Sequence, residues 1–198
     1  LEAAERLAPF IADTGRYLND AVDEGKRVLL EGAQGTMLDL DHGSYPFVTS
    51  SSSTAGGACT GTGLPPTRIT GALGIIKAYT TRVGAGPFPT ELLDERGRHL
   101  QDRGQEFGSV TGRPRRTGWF DVPVARYAAR VNGLGSLALT KLDVLDELES
   151  VSVCVGYRSA GGDTDSIASS IRDYGEVEPV FEKFEGWMQS TRGISRLE

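Results

Sequence analysis

The sequence has few of the residues from which metal centres, disulfide scaffolds and histidine-based catalytic triads are built. It contains two cysteines and two histidines. Cys59 and Cys154 lie far apart, in neither a Cys-x-x-Cys nor a metal-ligand spacing, which favours reduced thiols over the alternative of a disulfide. With only His42 and His99 and no Gly-x-Ser-x-Gly segment, a serine-hydrolase triad has little support.

Excess positive charge and long apolar runs are also missing. The formal net charge is −6. A nonspecific nucleic-acid binder needs Lys and Arg to displace counterions, so that class is disfavoured and a small-molecule partner is favoured. No apolar run approaches the roughly 20 residues that span a bilayer. We therefore expect a cytoplasmic protein with no nucleic-acid partner and no membrane partner.

Short apolar runs alternate with helical patterns along the chain, which predicts an α/β fold. Apolar spacing predicts helices over residues 1–23, 91–107 and 122–131. Strands are predicted over residues 27–31, 75–80, 136–140, 151–155 and 180–184. The polar segment 42–67 is predicted to be a long ordered loop. The chain also starts at Leu1 on an amphipathic pattern without a start methionine, which favours a truncated piece.

Three loops directly follow predicted strands, after Glu31, Val83 and Leu139. In open α/β sheets, ligands collect where strands end. These loops are therefore the candidates for one site.

The third loop begins with the tetrapeptide Thr140-Lys141-Leu142-Asp143, which resembles the Asn-Lys-x-Asp guanine motif of GTP-binding proteins. A carboxylate at Asp143 can accept two parallel hydrogen bonds from guanine N1–H and its exocyclic amine, which adenine cannot donate. On the tetrapeptide alone, an Asp that caps the next short helix is the favoured interpretation. A GTP-binding regulatory module is a rival interpretation, although the chain has no Gly-x-x-x-x-Gly-Lys-[Ser/Thr] segment.

Residues 108–118, called the arginine loop below, place three arginines between glycines. Guanidinium groups bind carboxylates and phosphates through paired hydrogen bonds, and glycines let a loop fold over a ligand. The loop is therefore a candidate anion site. A solvated basic turn and a nucleic-acid patch remain the alternatives.

Residues 31–51 carry further candidate groups. Gln34 offers an amide donor and acceptor at a predicted strand end, and Thr49 offers a hydroxyl. Asp39, Asp41 and His42 could form a metal site, but these residue types also serve as ordinary loop caps. The capping role is favoured, so we predict no metal here.

Taken in order, five segments resemble those of the adenylosuccinate synthetase family: residues 28–36, 39–51, 77–91, 111–121 and 139–145. Examples are Val28-Leu-Leu-Glu-Gly-Ala-Gln-Gly-Thr36 and Lys77-Ala-Tyr-Thr-Thr-Arg-Val-Gly-Ala-Gly86. The resemblance implies a P-loop-NTPase-like α/β fold with a mostly parallel central sheet, flanking helices and long functional loops. It also implies that residues 1–198 are one incomplete domain, a central to C-terminal piece truncated at both ends.

The implied activity is GTP-dependent ligation of IMP and L-aspartate to adenylosuccinate through 6-phosphoryl-IMP, with Mg²⁺ and a homodimer. Gln34 would support the phosphorylated intermediate, and IMP would also be held by Thr49, Val83 and Arg113. The implied aspartate-binding residues are Ser109, Val110, Thr111, Gly112, Arg113, Pro114 and Arg115. The implied GTP-binding residues are Arg115, Lys141, Leu142 and Asp143.

The resemblance also implies what residues 1–198 do not contain. Val110 stands where the family often has threonine, so only its backbone role carries over. The general-base aspartate, the general-acid histidine and the Mg²⁺ ligands would all belong before Leu1. We therefore expect no metal ligand in this chain and no activity from it alone.

Overall fold

The computed structural model describes residues 1–108, 112–167 and 171–194. Helices and strands are interspersed along the chain, as the α/β prediction requires. The helices are α1 Glu2–Leu7, α2 Thr14–Asp23, α3 Ala55–Thr62, α4 Glu95–Arg103, α5 Val122–Asn132 and α6 Ile171–Glu176. The strands are β1 Leu73–Lys77, β2 Thr80–Arg82, β3 Arg116–Gly118, β4 Phe120–Asp121, β5 Ser136–Thr140, β6 Ser150–Ser159, β7 Gly162–Thr164 and β8 Glu178–Glu185.

The helix predicted over residues 1–23 is divided into α1 and α2. Between them lies a 3₁₀ turn, Ala8–Phe10, with Pro9 at its start. Proline lacks the N–H that would continue the α-helical ladder. The chain restarts at Asp13, whose side chain accepts a hydrogen bond from the Arg16 N–H at 3.0 Å.

The two other predicted helices are confirmed as α4 and α5. The Asp94 side chain caps α4, so the helix starts later than predicted. Asp121 caps α5 by accepting from the Val124 N–H at 3.1 Å. Gly133 ends α5 in the left-handed conformation that glycine adopts without a steric penalty.

The predicted strand at residues 136–140 is confirmed as β5, which pairs in parallel with β1, while the strand predicted over residues 75–80 is divided, because β1 ends at Lys77 and Thr80 begins β2. Leu73 lies opposite Ser136, and Lys77 lies opposite Thr140. The pair places the ends of both strands side by side. The guanine tetrapeptide, residues 140–143, therefore starts beside the turn that leads from β1 into β2.

The predicted strands at residues 151–155 and 180–184 are confirmed within the largest sheet. Its long central strand β6 pairs in parallel with β4 and antiparallel with β7 and β8. A core cluster of Cys154, Tyr157, Tyr174 and Val177 packs there. A second cluster around Tyr79, Leu100 and Trp119 joins α4 to the segment after β5.

The strand predicted over residues 27–31 is not present. A strand needs a neighbour for its N–H and C=O groups, and no described residue forms a ladder with this segment. Leu29 is 92% exposed. The apolar pattern indicated a strand, but the partner that would complete it does not lie in the described part of the chain.

The segment 42–67 is not only a loop, because it contains α3 and the start of the 3₁₀ turn Pro66–Arg68. The side chain of Asn132, the last residue of α5, holds the start of α3. Its Oδ1 accepts from the Ala55 N–H at 2.7 Å, and its Nδ2 donates to Thr36 Oγ1 at 2.9 Å. Asn132, which lies outside this segment, thus accepts a hydrogen bond from the Ala55 N–H, which has no acceptor within the first turn of α3.

Both cysteines are free thiols, and Cys154 is buried. Burial, with the nearby Asp121 carboxylate, raises the pKa of the Cys154 thiol to about 12. Within residues 1–108, 112–167 and 171–194, no helix has the length and apolarity needed to cross a membrane.

Candidate functional site

Residues 36–54, called the 36–54 loop below, fold around the buried carboxylate of Asp39. One oxygen accepts from the Asp41 and His42 N–H groups, both at 2.9 Å. The other accepts from the Ser53 and Thr54 N–H groups at 2.7 and 3.0 Å. Burial alone would raise the pKa of Asp39, but the four backbone donors outweigh it and lower the pKa. Asp39 is therefore a loop cap.

Two predicted IMP-binding residues lie on or beside this loop. The Thr49 N–H donates to the Leu38 carbonyl at 2.8 Å, and the Thr49 and Ser51 hydroxyls are 3.1 Å apart. Gln34 precedes the loop with an exposed side chain and a φ of 62°. Non-glycine residues incur a steric cost in this left-handed region, and such residues occur often at functional sites.

The buried guanidinium of Arg82 joins the 36–54 loop to the loop after β2. Its Nη2 donates to Ser44 Oγ at 2.7 Å and to the Phe47 carbonyl at 3.2 Å, while its Nε donates to the Ala85 carbonyl at 3.0 Å. The next residue, Val83, is exposed. Gly86 has a φ of 104°, and a Cβ there would collide with Arg82 and Phe47. The predicted Val83 site thus lies against the loop that carries Thr49.

The arginine loop is closed at its base by backbone contacts. The Gly108 N–H donates to the Arg113 carbonyl at 2.9 Å, and the Gly112 N–H donates to the Gly108 carbonyl at 2.8 Å. Gly112 has a φ of 64°. Pro114 pairs with Phe107 in an isolated bridge. The predicted aspartate-binding residues Ser109, Val110 and Thr111 lie outside the described residues.

Glu106, which the sequence did not single out, is buried at the foot of the arginine loop. Its Oε1 accepts from Tyr79 OH at 2.6 Å and from Lys77 Nζ at 3.0 Å, and its Oε2 accepts from Arg115 Nη1 at 2.8 Å. Burial alone would raise the pKa of the Glu106 carboxyl. The hydrogen bonds from its three donors outweigh burial and hold the pKa below its ordinary value.

The neighbouring Arg116 has a different partner. Its Nε and Nη2 donate to the two carboxylate oxygens of Glu91, and its Nη1 donates to the Gly84 and Gly86 carbonyls at 3.2 and 2.9 Å. The Glu91 carboxylate raises the pKa of Arg116. Arg116 thereby fastens β3 to the loop after β2, which is a structural role.

The guanine tetrapeptide turns away from β5 at Lys141, which has a φ of 62°. Lys141 Nζ donates to the Gly104 carbonyl at 2.6 Å. Asp143 does not cap the 3₁₀ turn Leu142–Leu145, because residue 141 is its N-cap and no side chain caps it. Instead, Asp143 Oδ2 accepts from Arg192 Nε and Nη2, both at 3.2 Å. The helix-capping interpretation of Asp143 is therefore wrong.

Asp146, also missed from the sequence, connects the tetrapeptide region to the segment after β8. It accepts hydrogen bonds from Trp187 Nε1 at 2.8 Å and from the Thr191 N–H and Oγ1, both at 2.9 Å. A cavity of about 270 Å³ lies here, lined in part by Asp146, Met188 and Arg192. The acidic run 143–149 was visible in the sequence, but nothing in it distinguished this buried member.

The described contacts join two of the candidate loops directly, and they tie the guanine tetrapeptide to the end of α4, which precedes the arginine loop. Arg82 links the loop after β2 to the 36–54 loop, and Lys141 links the guanine tetrapeptide to Gly104 near the base of the arginine loop. Glu106 lies at this second junction. That all of these loops form one continuous site stays a prediction.

Comparisons with known proteins give a consistent result. The adenylosuccinate synthetase family model matches residues 1–198. The chain is 59% identical to an adenylosuccinate synthetase of Solibacter usitatus over 98% of its own length and 45% of that protein. It is 55% identical to one of Carboxydothermus hydrogenoformans over 100% of its length and 46% of that protein. The chain thus spans about half the length of these relatives.

Solved structures agree with the sequence comparisons. The fully ligated adenylosuccinate synthetase from Plasmodium falciparum matches with a TM-score of 0.91 and 39% identity, over 96% of this chain and 46% of that one. A cyanophage S-2L succinoaminodeoxyadenylate synthetase, bound to dGMP and to dATP as an energy donor, matches with a TM-score of 0.53 and 29% identity. That match covers 63% of this chain and 38% of the phage chain.

Proposed function

We propose, since this chain belongs to the adenylosuccinate synthetase family, that its full-length protein ligates IMP and L-aspartate at the expense of GTP. The γ-phosphoryl group of GTP passes to the 6-oxygen of IMP. The aspartate amine then displaces phosphate from C6, which yields adenylosuccinate, GDP and phosphate. The observation that carries the proposal is the contact between Lys141 of the guanine tetrapeptide and the Gly104 carbonyl at the end of α4, the helix that leads into the arginine loop.

Guanine recognition is assigned to Lys141, Leu142 and Asp143. The Asp143 carboxylate already accepts two N–H donors from Arg192, which supports its ability to accept the N1–H and exocyclic amine of guanine. Leu142 is partly exposed beside it. Adenine presents no such donor pair, so the arrangement favours GTP over ATP.

Aspartate binding is assigned to the whole loop Ser109 to Arg115, with Arg113 also reaching IMP and Arg115 reaching GTP. Guanidinium groups suit both a substrate carboxylate and a phosphate. The left-handed turn at Gly112 supports a loop that folds over a ligand. This assignment includes Val110 through its backbone.

IMP binding is assigned to Gln34, Thr49 and Val83 together with Arg113. The contacts of Arg82 support this, because they hold the Val83 loop against the loop of Thr49. The strained backbone of Gln34 supports a role at the reacting 6-oxygen, where its amide can hydrogen-bond the phosphorylated intermediate.

Mg²⁺ accompanies GTP in this family, but the residues described here do not fit a Mg²⁺ site. No three potential ligand side chains converge among them. The buried Asp39 is a candidate ligand by residue type, but both of its carboxylate oxygens already accept hydrogen bonds from backbone N–H groups. We place the metal ligands and the general acid and base outside residues 1–198. We also propose that the full-length protein is a cytoplasmic homodimer.

The test is the formation of adenylosuccinate from IMP, L-aspartate and Mg²⁺ by the full-length protein, with GTP and dATP compared as donors. We expect product with GTP and little with dATP. Absence of product with either donor would contradict the ligase assignment, and equal use of dATP would contradict guanine recognition by Asp143.

The isolated 198-residue chain in the same assay is expected to form no product. Positioned acid and base groups contribute roughly 10²–10⁴-fold each to rate, and none of the residues assigned here supplies them. Turnover by the isolated chain within about tenfold of the full-length protein would show that residues 1–198 contain the acid and the base.

A further inference from the structure

The carboxylate of Glu106 lies where the guanine tetrapeptide and the arginine loop approach each other. It is 1% exposed and accepts hydrogen bonds from Lys77, Tyr79 and Arg115. The ligand assignments above give it no role. Taking a carboxylate out of water is unfavourable unless charged partners offset the loss of hydration. Here the partners include the cations of Lys77 and Arg115, and Arg115 is assigned to aspartate and GTP.

Glu106 holds Arg115 through its backbone as well as its side chain. The Arg115 N–H donates to the Glu106 carbonyl at 2.8 Å, while the Arg115 carbonyl accepts from Gln101 Nε2 at 2.7 Å. With the contact from Arg115 Nη1 to Glu106 Oε2, both the main chain and the guanidinium of Arg115 are fixed. Ordering the side chain before a ligand arrives reduces the entropy lost on binding.

The same carboxylate connects this arginine to the end of β1. Lys77, the last residue of β1, donates to Glu106 and to Thr81 Oγ1 at 2.6 Å. Lys77 lies opposite Thr140, the first residue of the guanine tetrapeptide. Glu106 therefore bridges the end of β1, the strand that pairs with the one leading into the guanine motif, and the loop that carries Arg115.

Arg116 and Glu91 provide a natural contrast to this bridge. That pair is also partly buried and is also made by a β3-region arginine and a glutamate. The Arg116 guanidinium, however, donates hydrogen bonds to two carboxylate oxygens and two loop carbonyls. Its role is therefore structural. Arg115 gives Glu106 a single guanidinium nitrogen, Nη1.

We infer that Glu106 is a positioning residue, which sets the guanidinium of Arg115 for the carboxylate of aspartate and the phosphates of GTP. The inference rests on the proposed function, because Arg115 acquires its ligands only there. Glu106 does not touch substrate and acts through Arg115.

The experiment compares Glu106→Gln with Glu91→Gln in the full-length protein. Each change replaces a charged glutamate that pairs with an arginine by a neutral glutamine. Both variants are expected to have a lower melting temperature than the parent. Glu106→Gln should also raise the KM for aspartate and for GTP by about tenfold or more, in line with the loss of one charge-assisted contact. Glu91→Gln should leave both KM values within about twofold of the parent, because Arg116 is assigned no ligand.

A double-mutant cycle separates positioning from a general loss of structure. If Glu106 acts through Arg115, then Glu106→Gln should add little to the KM defect of Arg115→Leu. Additive defects would overturn the inference. So would equal kinetic effects of Glu106→Gln and Glu91→Gln.

Glu106→Asp keeps the charge but shortens the side chain by one methylene. This variant replaces Glu106→Gln in the same KM measurements if the Gln variant does not fold. An intermediate rise in KM is expected, and parental kinetics would overturn the inference. These outcomes are distinct from failure of the proposed function, in which the unsubstituted full-length protein itself forms no adenylosuccinate.

Discussion

The two strand regions of the chain cover their apolar side chains very differently. In the sheet around β6, Cys154 and Tyr157 are fully buried and Val151 is 8% exposed, although Phe181 and Phe184 at the β8 edge are 43% and 47% exposed. The parallel pair of β1 and β5, which leads into the guanine tetrapeptide, leaves its apolar side chains open. Those side chains are Leu73, Ile75, Leu137 and Leu139, each more than half exposed. The β6 sheet therefore has a buried core of its own, while the β1–β5 pair exposes more of its apolar surface.

The largest expected effect tests the functional side of this contrast. Asp143→Asn in the full-length protein should lower kcat/KM for GTP. The loss of transition-state stabilisation is expected to be roughly 2–4 kcal/mol, because an amide cannot accept both guanine donors as a carboxylate does. Steady-state kinetics with GTP varied is the measurement. The matched control is Glu147→Gln, which should be silent because Glu147 pairs with Arg103 on the surface. Unchanged GTP kinetics in Asp143→Asn would contradict the assignment.

The next largest effect tests the contribution of the β6 sheet to stability. Asp121→Ala should lower the free energy of unfolding by about 2–3 kcal/mol, because it removes the cap of α5 and leaves the buried Tyr157 hydroxyl without its acceptor. Urea denaturation gives the value. Asp94→Ala removes only an exposed cap of α4 and should cost about 1 kcal/mol. Equal losses would show that the β6 network adds nothing beyond capping.

A smaller effect concerns pH, since buried aspartates in the 36–54 loop and in the β6 sheet have opposite pKa shifts. Asp39 has a lowered pKa in the fold, so its contribution is present above the unfolded value of 3.8 and is lost as the pH falls through the folded value. Asp121 has a pKa raised by burial, so its contribution is present below 3.8 and is lost as the pH rises through the folded value.

Stability curves from about pH 3 to pH 7 should therefore separate the two aspartates. Asp39→Asn should reduce the acid-induced loss of stability, because the amide that replaces the buried carboxylate does not titrate. The advantage of the parent over Asp121→Asn should instead shrink as the pH rises. Parallel curves for both variants would contradict the opposite shifts.

The smallest effect is expected on the open sheet face. Leu139→Ser should change the free energy of unfolding of the chain by less than about 0.5 kcal/mol, because Leu139 is 55% exposed. Val151→Ala, in the covered sheet, should cost about 2 kcal/mol through lost burial and a cavity. Chemical denaturation of both variants makes the comparison. A cost for Leu139→Ser as large as that for Val151→Ala would mean that the β1–β5 face is covered in solution.

Patterns within a single segment predicted much of the fold. Apolar spacing and turn residues located α4, α5, β1, β5 and β8, because those elements follow local chemistry. The strand predicted over residues 27–31 failed because a strand is defined by its neighbour. Helix α3 was missed because its first N–H is satisfied by Asn132, which lies 77 positions away.

The candidate site divides in the same way. Residue type and spacing made Lys141, Asp143 and the arginines candidates, since carboxylate groups can recognise guanine and guanidinium groups bind anions. Glu106 and Asp146 were not found because their burial depends on distant partners. Lys77 is 29 positions from Glu106, and Trp187 is 41 positions from Asp146. The ligand roles themselves stay predictions.

The clamp formed by Asn132 also constrains the order in which the chain can be assembled during synthesis. One amide ties Thr36 and Ala55, at the two ends of the 36–54 loop, across separations of 96 and 77 positions. A growing polypeptide can form the internal contacts of this loop to Asp39 early, but it cannot attach the loop to α5 before residue 132 has been translated. Contacts of such long range form late, after the entropy of bringing distant segments together has been overcome. The attachment of the Thr49 loop to the rest of the fold therefore depends on a helix encoded far downstream.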